Sequence, residues 1–351
     1  MGTTALILAA GEGTRMKSAL PKVAHRILGL PMVSHVVRAT RAAGVERVVV
    51  VTGHGAHTIE ALLADSGVEF VRQEEQHGTG HAVLCAEPLL RGHGGSLLVI
   101  AGDCPLFTPE TLAALIAERE REGAAAVVLT TRLADPTGYG RIVRAGIGGI
   151  TAIVEDRDLK PEQRRITEIN TSTYCFDSHA LFGHLRKLEN ANAQGEYYLT
   201  DMIGVLRGEG LTVGALEAAD ATETLGINSR VQLAEAARVL QRRINERHML
   251  AGVTMTAPEL VWVGPDVRLG RDVVIEPMTA LMGSTTVGDD CLLGPGARIT
   301  DATLGRRCIV DSSIIEGGVL ADGATVGPYA HIRSDTDTGS DAQQGGGYGT
   351  L

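Results

Sequence analysis

The sequence predicts an α/β fold in two parts: a Rossmann-like, largely parallel sheet domain and, after one long helix, a short parallel β-helix. Two periodicities predict it. Up to about residue 227, short runs of Val, Ile and Leu alternate with amphipathic helical stretches, and beyond about residue 250 an aliphatic residue recurs at every sixth position. At 351 residues the chain is long enough for two domains with cores of their own.

Strands are expected at 4–10, 47–52, 68–72, 96–101 and 125–131, and helices at 32–43, 57–64, 80–90 and 109–122, the last with Thr108 as its N-cap. Such alternation builds a parallel sheet, whose ligands sit beyond the carboxyl ends of the strands. Over 229–250, Val231, Leu233, Ala237, Leu240 and Ile244 recur at helical spacing among many charges, which reads as a connecting helix. It separates a domain over 1–228 from a β-helix over 251–338. There, Val263, Leu269, Ile275, Leu281, Val287, Leu293 and Ile299 step in sixes; Leu304 and Val310 follow a one-residue slip, then Leu320, Val326 and Ile332. Residues 339–351 lose this repeat, contain Gln343-Gln344-Gly345-Gly346-Gly347, and are expected to be irregular.

A net charge of −10 argues against a general nucleic-acid binder, although a few basic residues can still meet phosphates locally. Five dispersed cysteines without a C-x-x-C pair suggest free thiols in a reducing compartment. With no basic segment before the first apolar run and no apolar stretch of spanning length, a soluble cytoplasmic protein without membrane association is expected.

The chemistry gathers at the predicted strand ends. The first strand breaks into Ala9-Ala10-Gly11-Glu12-Gly13-Thr14-Arg15-Met16, followed by Leu20-Pro21-Lys22. Small residues let backbone N–H groups approach phosphate oxygens while Arg15 and Lys22 neutralise charge. The third glycine of a dinucleotide fingerprint and the G-K-[ST] of a P-loop are missing, and a glycine-rich turn with solvated Arg15 and Lys22 is the alternative. Asp103, directly after the strand at 96–101, is placed to hold Mg²⁺ with phosphate oxygens, or else simply forms the turn. In Gln73-Glu74-Glu75-Gln76-His77-Gly78-Thr79-Gly80-His81, the Gln73 amide suits a nucleobase edge, and Gly78-Thr79 permits close backbone approach. His77 and His81 lack an H-E-x-x-H context and read as surface or helix-packing residues. A further polar set, Gly138-Tyr139-Gly140-Arg141, Glu155, Glu168-Ile169-Asn170-Thr171 and 192–201, suits sugar hydroxyls and an N-acyl group, with solvated loops as the alternative for each.

Taken in order, "LAAGEGTRM", "LPKVAH", "QHGTGHA", "DPTGYGRI", "EINT" and "NAQGEYYLTD" resemble the bifunctional N-acetylglucosamine-1-phosphate uridyltransferase/glucosamine-1-phosphate acetyltransferase (GlmU) family, from about residue 6 to about 333. The resemblance implies a nucleotidyltransferase domain and a left-handed β-helix, and transfer of UMP from UTP to N-acetylglucosamine 1-phosphate with Mg²⁺. It places phosphate binding on Arg15 and Lys22, uracil contacts on Ala9, Gly11, Gln73, Gly78 and Thr79, and metal ligands on Asp103 and Asn228. Sugar contacts fall on Gly140, Glu155, Asn170 and Tyr198. It also implies a homotrimer formed through the β-helix. Arg333 matches an early arginine of the family's acetyl-transfer site, but from Ser334 onward the match ends, so this polypeptide is expected to lack acetyl transfer. Two rival readings are a pyrophosphorylase that joins glucose 1-phosphate to UTP or dTTP, and a non-catalytic nucleotide-binding assembly module.

Overall fold

The computed structural model describes residues 2–92, 94–145 and 149–334, together with the strand backbones Asp337–Thr338 and Gln343–Gln344. Two compact units emerge: one comprises the chain up to Leu233 except Ile27–Gly29, and the other comprises Ile27–Gly29 and the chain from Ala234.

Among the described residues, nine strands of the first unit form one sheet. They are β1 (Thr4–Ala9), β2 (Arg47–Thr52), β3 (Glu69–Arg72), β4 (Ser96–Ala101), β5 (Ala126–Arg132), β6 (Arg141–Arg144), β7 (Ile150–Val154), β8 (Glu168–Asp177) and β9 (Val213–Glu217). Their order is β9-β5-β8-β4-β1-β2-β3, with β6 pairing β8 and β7. Alternation along β1 explains its continuous apolar run. Ala5, Ile7 and Ala9 join Val48, Val50, Leu98 and Ile100 under the helices α1 (Met32–Ala42) and α4 (Pro109–Glu122), whereas Leu6 faces the opposite core with Val49 and Val99. Helices α2 (Ala56–Leu62), α3 (Thr79–Leu90) and α4 (Pro109–Glu122) match expectation to within two residues, and Thr108 Oγ1 accepts from Thr111 N to cap α4.

Three features lie outside the expected elements. Between β1 and α1 the chain makes two short 3₁₀ turns, Thr14–Met16 and Lys22–Ala24. The segment around Glu168-Ile169-Asn170-Thr171, for which solvated loops stood as the alternative, belongs to β8, which runs antiparallel between β4 and β5. Glu168 is buried there, and although burial opposes ionisation, the Arg144 guanidinium at 2.6 and 2.8 Å holds its carboxyl below the usual range. Third, α5 (Ser178–His184) and α6 (Asp201–Gly208) cover one face in a stretch to which no helix was assigned.

In the second unit, two- and three-residue strands stack into three parallel ladders. Val263 pairs with Leu281, Leu281 with Ile299, Ile299 with Ile315 and Ile315 with Ile332, and all five are buried. The expected hexads therefore form the inner column of a β-helix. Ile315, absent from the expected series, fills a position created by two successive five-residue steps, Val310 to Ile315 to Leu320. The ladders reach Asp337–Thr338 and Gln343–Gln344, the latter pairing with Thr325–Val326 inside the segment expected to be irregular. The rest of 339–351 lies outside the described residues.

The connecting helix, α7, spans Arg230–Leu250, and the unit boundary at Leu233 falls within it. Its second half is bound to the β-helix: buried Gln241 and Asn245 donate side-chain N–H bonds of 2.6 and 2.9 Å to Val261 O. Most of α7 thus caps the second domain.

Candidate active site

β1 and β4 lie side by side in register, Leu8 opposite Ala101, so the turns that leave them meet at one edge of the sheet. Gly102 N donates to Leu8 O at 2.8 Å and extends that ladder. After β1, Gly13 takes φ 65°, and a Cβ there would stand 2.5 Å from Lys22 Cβ. A side chain at this position would push Lys22 out of the site.

Lys22 Nζ donates to Asp103 Oδ2 and, at 3.0 Å, to Asn228 Oδ1, which also accepts from Arg15 Nη2 at 2.9 Å. Asn228 is brought in because Ile227 N donates to the backbone carbonyl of Asp103 at 3.0 Å. The other Asp103 oxygen faces the Cys104 thiol at 3.6 Å. Burial, and next the Asp103 charge, push that thiol well above its ordinary range, so it stays protonated. Among the described residues no cluster of three or more His, Cys, Asp or Glu could hold a metal. The Asp103 carboxylate and Asn228 carbonyl nevertheless converge on one cationic Nζ, and two hard oxygens of this kind fit a Mg²⁺ ion that also takes phosphate oxygens.

On the β3 side, Gln73 is buried and its Nε2 donates to Gly78 O at 3.1 Å. Gly78 has φ 101°, and a Cβ on it would lie 2.7 Å from Tyr197 O, so only glycine fits. On the β8 side, Asn170 N donates to Gly140 O at 2.9 Å, and a Cβ on Gly140 would come within 3.4 Å of Glu155 Oε1. The β8 bulge beyond Asn170 is held by Asn170 itself, which accepts from Ser172 N at 3.1 Å and donates to Tyr174 Oη at 2.8 Å. Glu155 accepts from Thr200 Oγ1 at 3.2 Å. Burial, joined by the nearby charges of Asp201, Asp158 and Asp156, raises its pKa above the usual carboxylate range.

Ala9, Gly11, Lys22, Gln73, Gly78, Thr79, Asp103, Gly140, Glu155, Asn170 and Asn228 all line one cleft of about 450 Å³. Arg15 stands outside this lining and reaches it through Asn228. Tyr198 is buried beside this lining, to which its neighbours Leu199 and Thr200 belong. Sequence reasoning gave no role to Gln76 or Tyr174 and named Thr200 only within the polar set 192–201; all three also line the cleft. Gln76 anchors the first turn by donating to Ala10 O at 2.8 Å, and its position inside the Gln73–His81 motif was the one available signal. Tyr174 was hidden with the strand that carries it.

Phosphate-suited residues at the carboxyl ends of parallel strands, closed by an antiparallel strand bearing polar groups, define a nucleotidyltransferase. The profile of the MobA-like NTP transferase domain matches residues 5–197. The bifunctional protein GlmU of Shouchella clausii (strain KSM-K16) is 46% identical over 344 residues, 98% of this chain and 76% of that protein. GlmU of Halalkalibacterium halodurans is 48% identical over 329 residues, 94% of this chain and 72% of that one. The chain belongs to the GlmU family. A crystal structure of UDP-glucose pyrophosphorylase complexed with UDP-glucose shares the fold, with a TM-score of 0.56 at 20% identity over 69% of this chain and 100% of that one. No helix among the described residues is long and apolar enough to cross a membrane, and all five cysteines are free.

Proposed function

We propose that the chain transfers the uridylyl group of UTP to N-acetylglucosamine 1-phosphate, giving UDP-N-acetylglucosamine and pyrophosphate for cell-wall precursor synthesis. The observation that carries this reading is the order of groups across the sheet edge. Gln73 follows β3, Gly11 follows β1, Asp103 follows β4 and Asn170 stands on β8, in a sheet ordered β3-β2-β1-β4-β8. Base, phosphates and sugar follow one another in the same order in a nucleotide sugar.

An oxygen of the sugar phosphate forms the new bond to the α-phosphorus of UTP while the bond to pyrophosphate breaks. That oxygen is already anionic, so no general base is needed, and catalysis rests on positioning and charge. Lys22 neutralises and orients the reacting phosphates, and Arg15 stabilises the departing pyrophosphate. Asp103 and Asn228 would hold the divalent cation, which when bound neutralises phosphate charge. Gly140, Glu155 and Asn170 receive the sugar. The free thiols fit a cytoplasmic enzyme, and the β-helix is the element through which a homotrimer would form. Acetyl transfer is not proposed for residues 1–351.

The test is pyrophosphate release from UTP or dTTP paired with N-acetylglucosamine 1-phosphate or glucose 1-phosphate, with and without Mg²⁺. UTP with N-acetylglucosamine 1-phosphate should be the fastest pair and should require Mg²⁺. Faster release with glucose 1-phosphate would overturn the sugar assignment, and no release from any pair would favour a non-catalytic binder.

A further inference from the structure

His81, which by spacing alone reads as a surface or packing residue, touches the cleft through Gln73. Gln73 Nε2 stands 3.1 Å from Gly78 O and 3.0 Å from His81 Nδ1. A backbone carbonyl can only accept, so the amide nitrogen must face Gly78, and the His81 nitrogen beside it must then accept as well. An accepting Nδ1 leaves the ring proton on Nε2. That nitrogen lies 3.8 Å from Cys85 Sγ, a soft acceptor for it. Both N–H bonds of the Gln73 amide are therefore directed into the protein. Its Oε1 has no partner among the described residues, and Gln73 lines the cleft.

We propose that His81 is a specificity-determining positioning residue: with the Gly78 carbonyl, its bare Nδ1 locks the Gln73 amide so that the cleft is offered an acceptor and not a donor. An acceptor at that point matches a base that carries a proton on N3, as uracil and thymine do. Cytosine presents a lone pair at N3, and the two acceptors would repel. The proposal rests on uridylyl transfer with Gln73 meeting the base, and adds the residue that sets the polarity of that contact. Without the Nδ1 acceptor, only the Gly78 bond resists rotation of the amide. Substitution has room, because His81 also borders a second cavity of about 250 Å³, lined further by Leu84, Leu188 and Arg186.

Two measurements on the full chain test it. The first compares UTP and CTP kinetics for the parent, His81→Leu and His81→Asn, since asparagine carries an acceptor near the place of Nδ1 and leucine carries none. His81→Leu should raise KM for UTP about 3- to 10-fold and erode the UTP-over-CTP preference by a similar factor, with kcat within about twofold. His81→Asn should restore most of the preference. Unchanged KM and preference in His81→Leu, or a fall in kcat alone in both variants, would overturn the proposal. The second measurement is the ¹⁵N spectrum of histidine-labelled parent protein, in which His81 should carry its proton on Nε2; a proton on Nδ1 overturns the proposal without reference to activity. A parent chain that turns over no nucleotide refutes uridylyl transfer instead, and the spectrum still decides whether the lock exists.

Discussion

Aspartates close strand ends in both units of this chain, and Asp103 is held unlike those of the β-helix. In the β-helix, Asp289, Asp301 and Asp322 each accept a backbone N–H from the preceding coil: Arg271 N at 2.9 Å, Ser284 N at 2.8 Å and Arg306 N at 2.8 Å. In the α/β unit, the Asp103 carboxylate is held, among the described residues, by side chains alone, Lys22 and Cys104. A carboxylate that satisfies the backbone is committed to its turn. On the proposed function, one held by a lysine can exchange that lysine for a cation. The partner of a strand-end aspartate, rather than its position, would then distinguish a scaffold role from a chemical one.

The largest effect should come from breaking the functional end. Lys22→Ala should lower turnover about 10²- to 10³-fold in steady-state assays, while the thermal midpoint moves by no more than about a few degrees. Next is the scaffold's inner column: Ile299→Ala removes a fully buried side chain paired above and below, and should cost about 2–5 kcal/mol in denaturant unfolding. The activity of the remaining folded protein should be unchanged. Smaller still, Asp289→Ala should cost about 1 kcal/mol through its lost turn bond, with normal turnover.

The smallest effect concerns Glu155, whose carboxyl is raised above its ordinary value of 4.5 mainly by burial. Below that value the group is neutral in both folded and unfolded chains. As pH rises from 4.5 towards the higher folded value, the unfolded chain ionises first and stability falls, and above that folded value the cost is constant. Glu155→Gln should remove this cost, giving a slightly higher melting temperature at pH 7 and little change at pH 4, while KM for the sugar phosphate rises. A melting temperature lowered equally at both pH values would show that the charge carries no such cost.

The contrast also governs what could be read from the sequence. The β-helix announces itself because each coil repeats one rule, although Met255, the five-residue steps at Ile315 and the pairing of Gln343–Gln344 escaped the count. In the α/β unit, β1, β2 and β4 are apolar on both faces and legible, and the motifs at their ends named most of the cleft. β8 was not legible, because its start interleaves Glu168, Asn170, Thr171 and Thr173, polar groups buried only after Arg144, Gly140 and Tyr174 supply partners. The motif around Tyr198 fixes neighbours in sequence, not which of them turns inward, and Leu199 and Thr200 line the cleft beside it. The link from His81 to Gln73 depends on the turn through Gly78, which spacing alone does not reveal.

The most direct test of the division between the two kinds of aspartate is to measure Asp103→Ala and Asp289→Ala together, by pyrophosphate release and by thermal unfolding. Asp103→Ala should lose turnover by orders of magnitude with its melting curve nearly intact, and Asp289→Ala should keep its turnover while its melting temperature falls by about 2–4 °C. Near-normal turnover in Asp103→Ala, or comparable losses of activity in both variants, would contradict it.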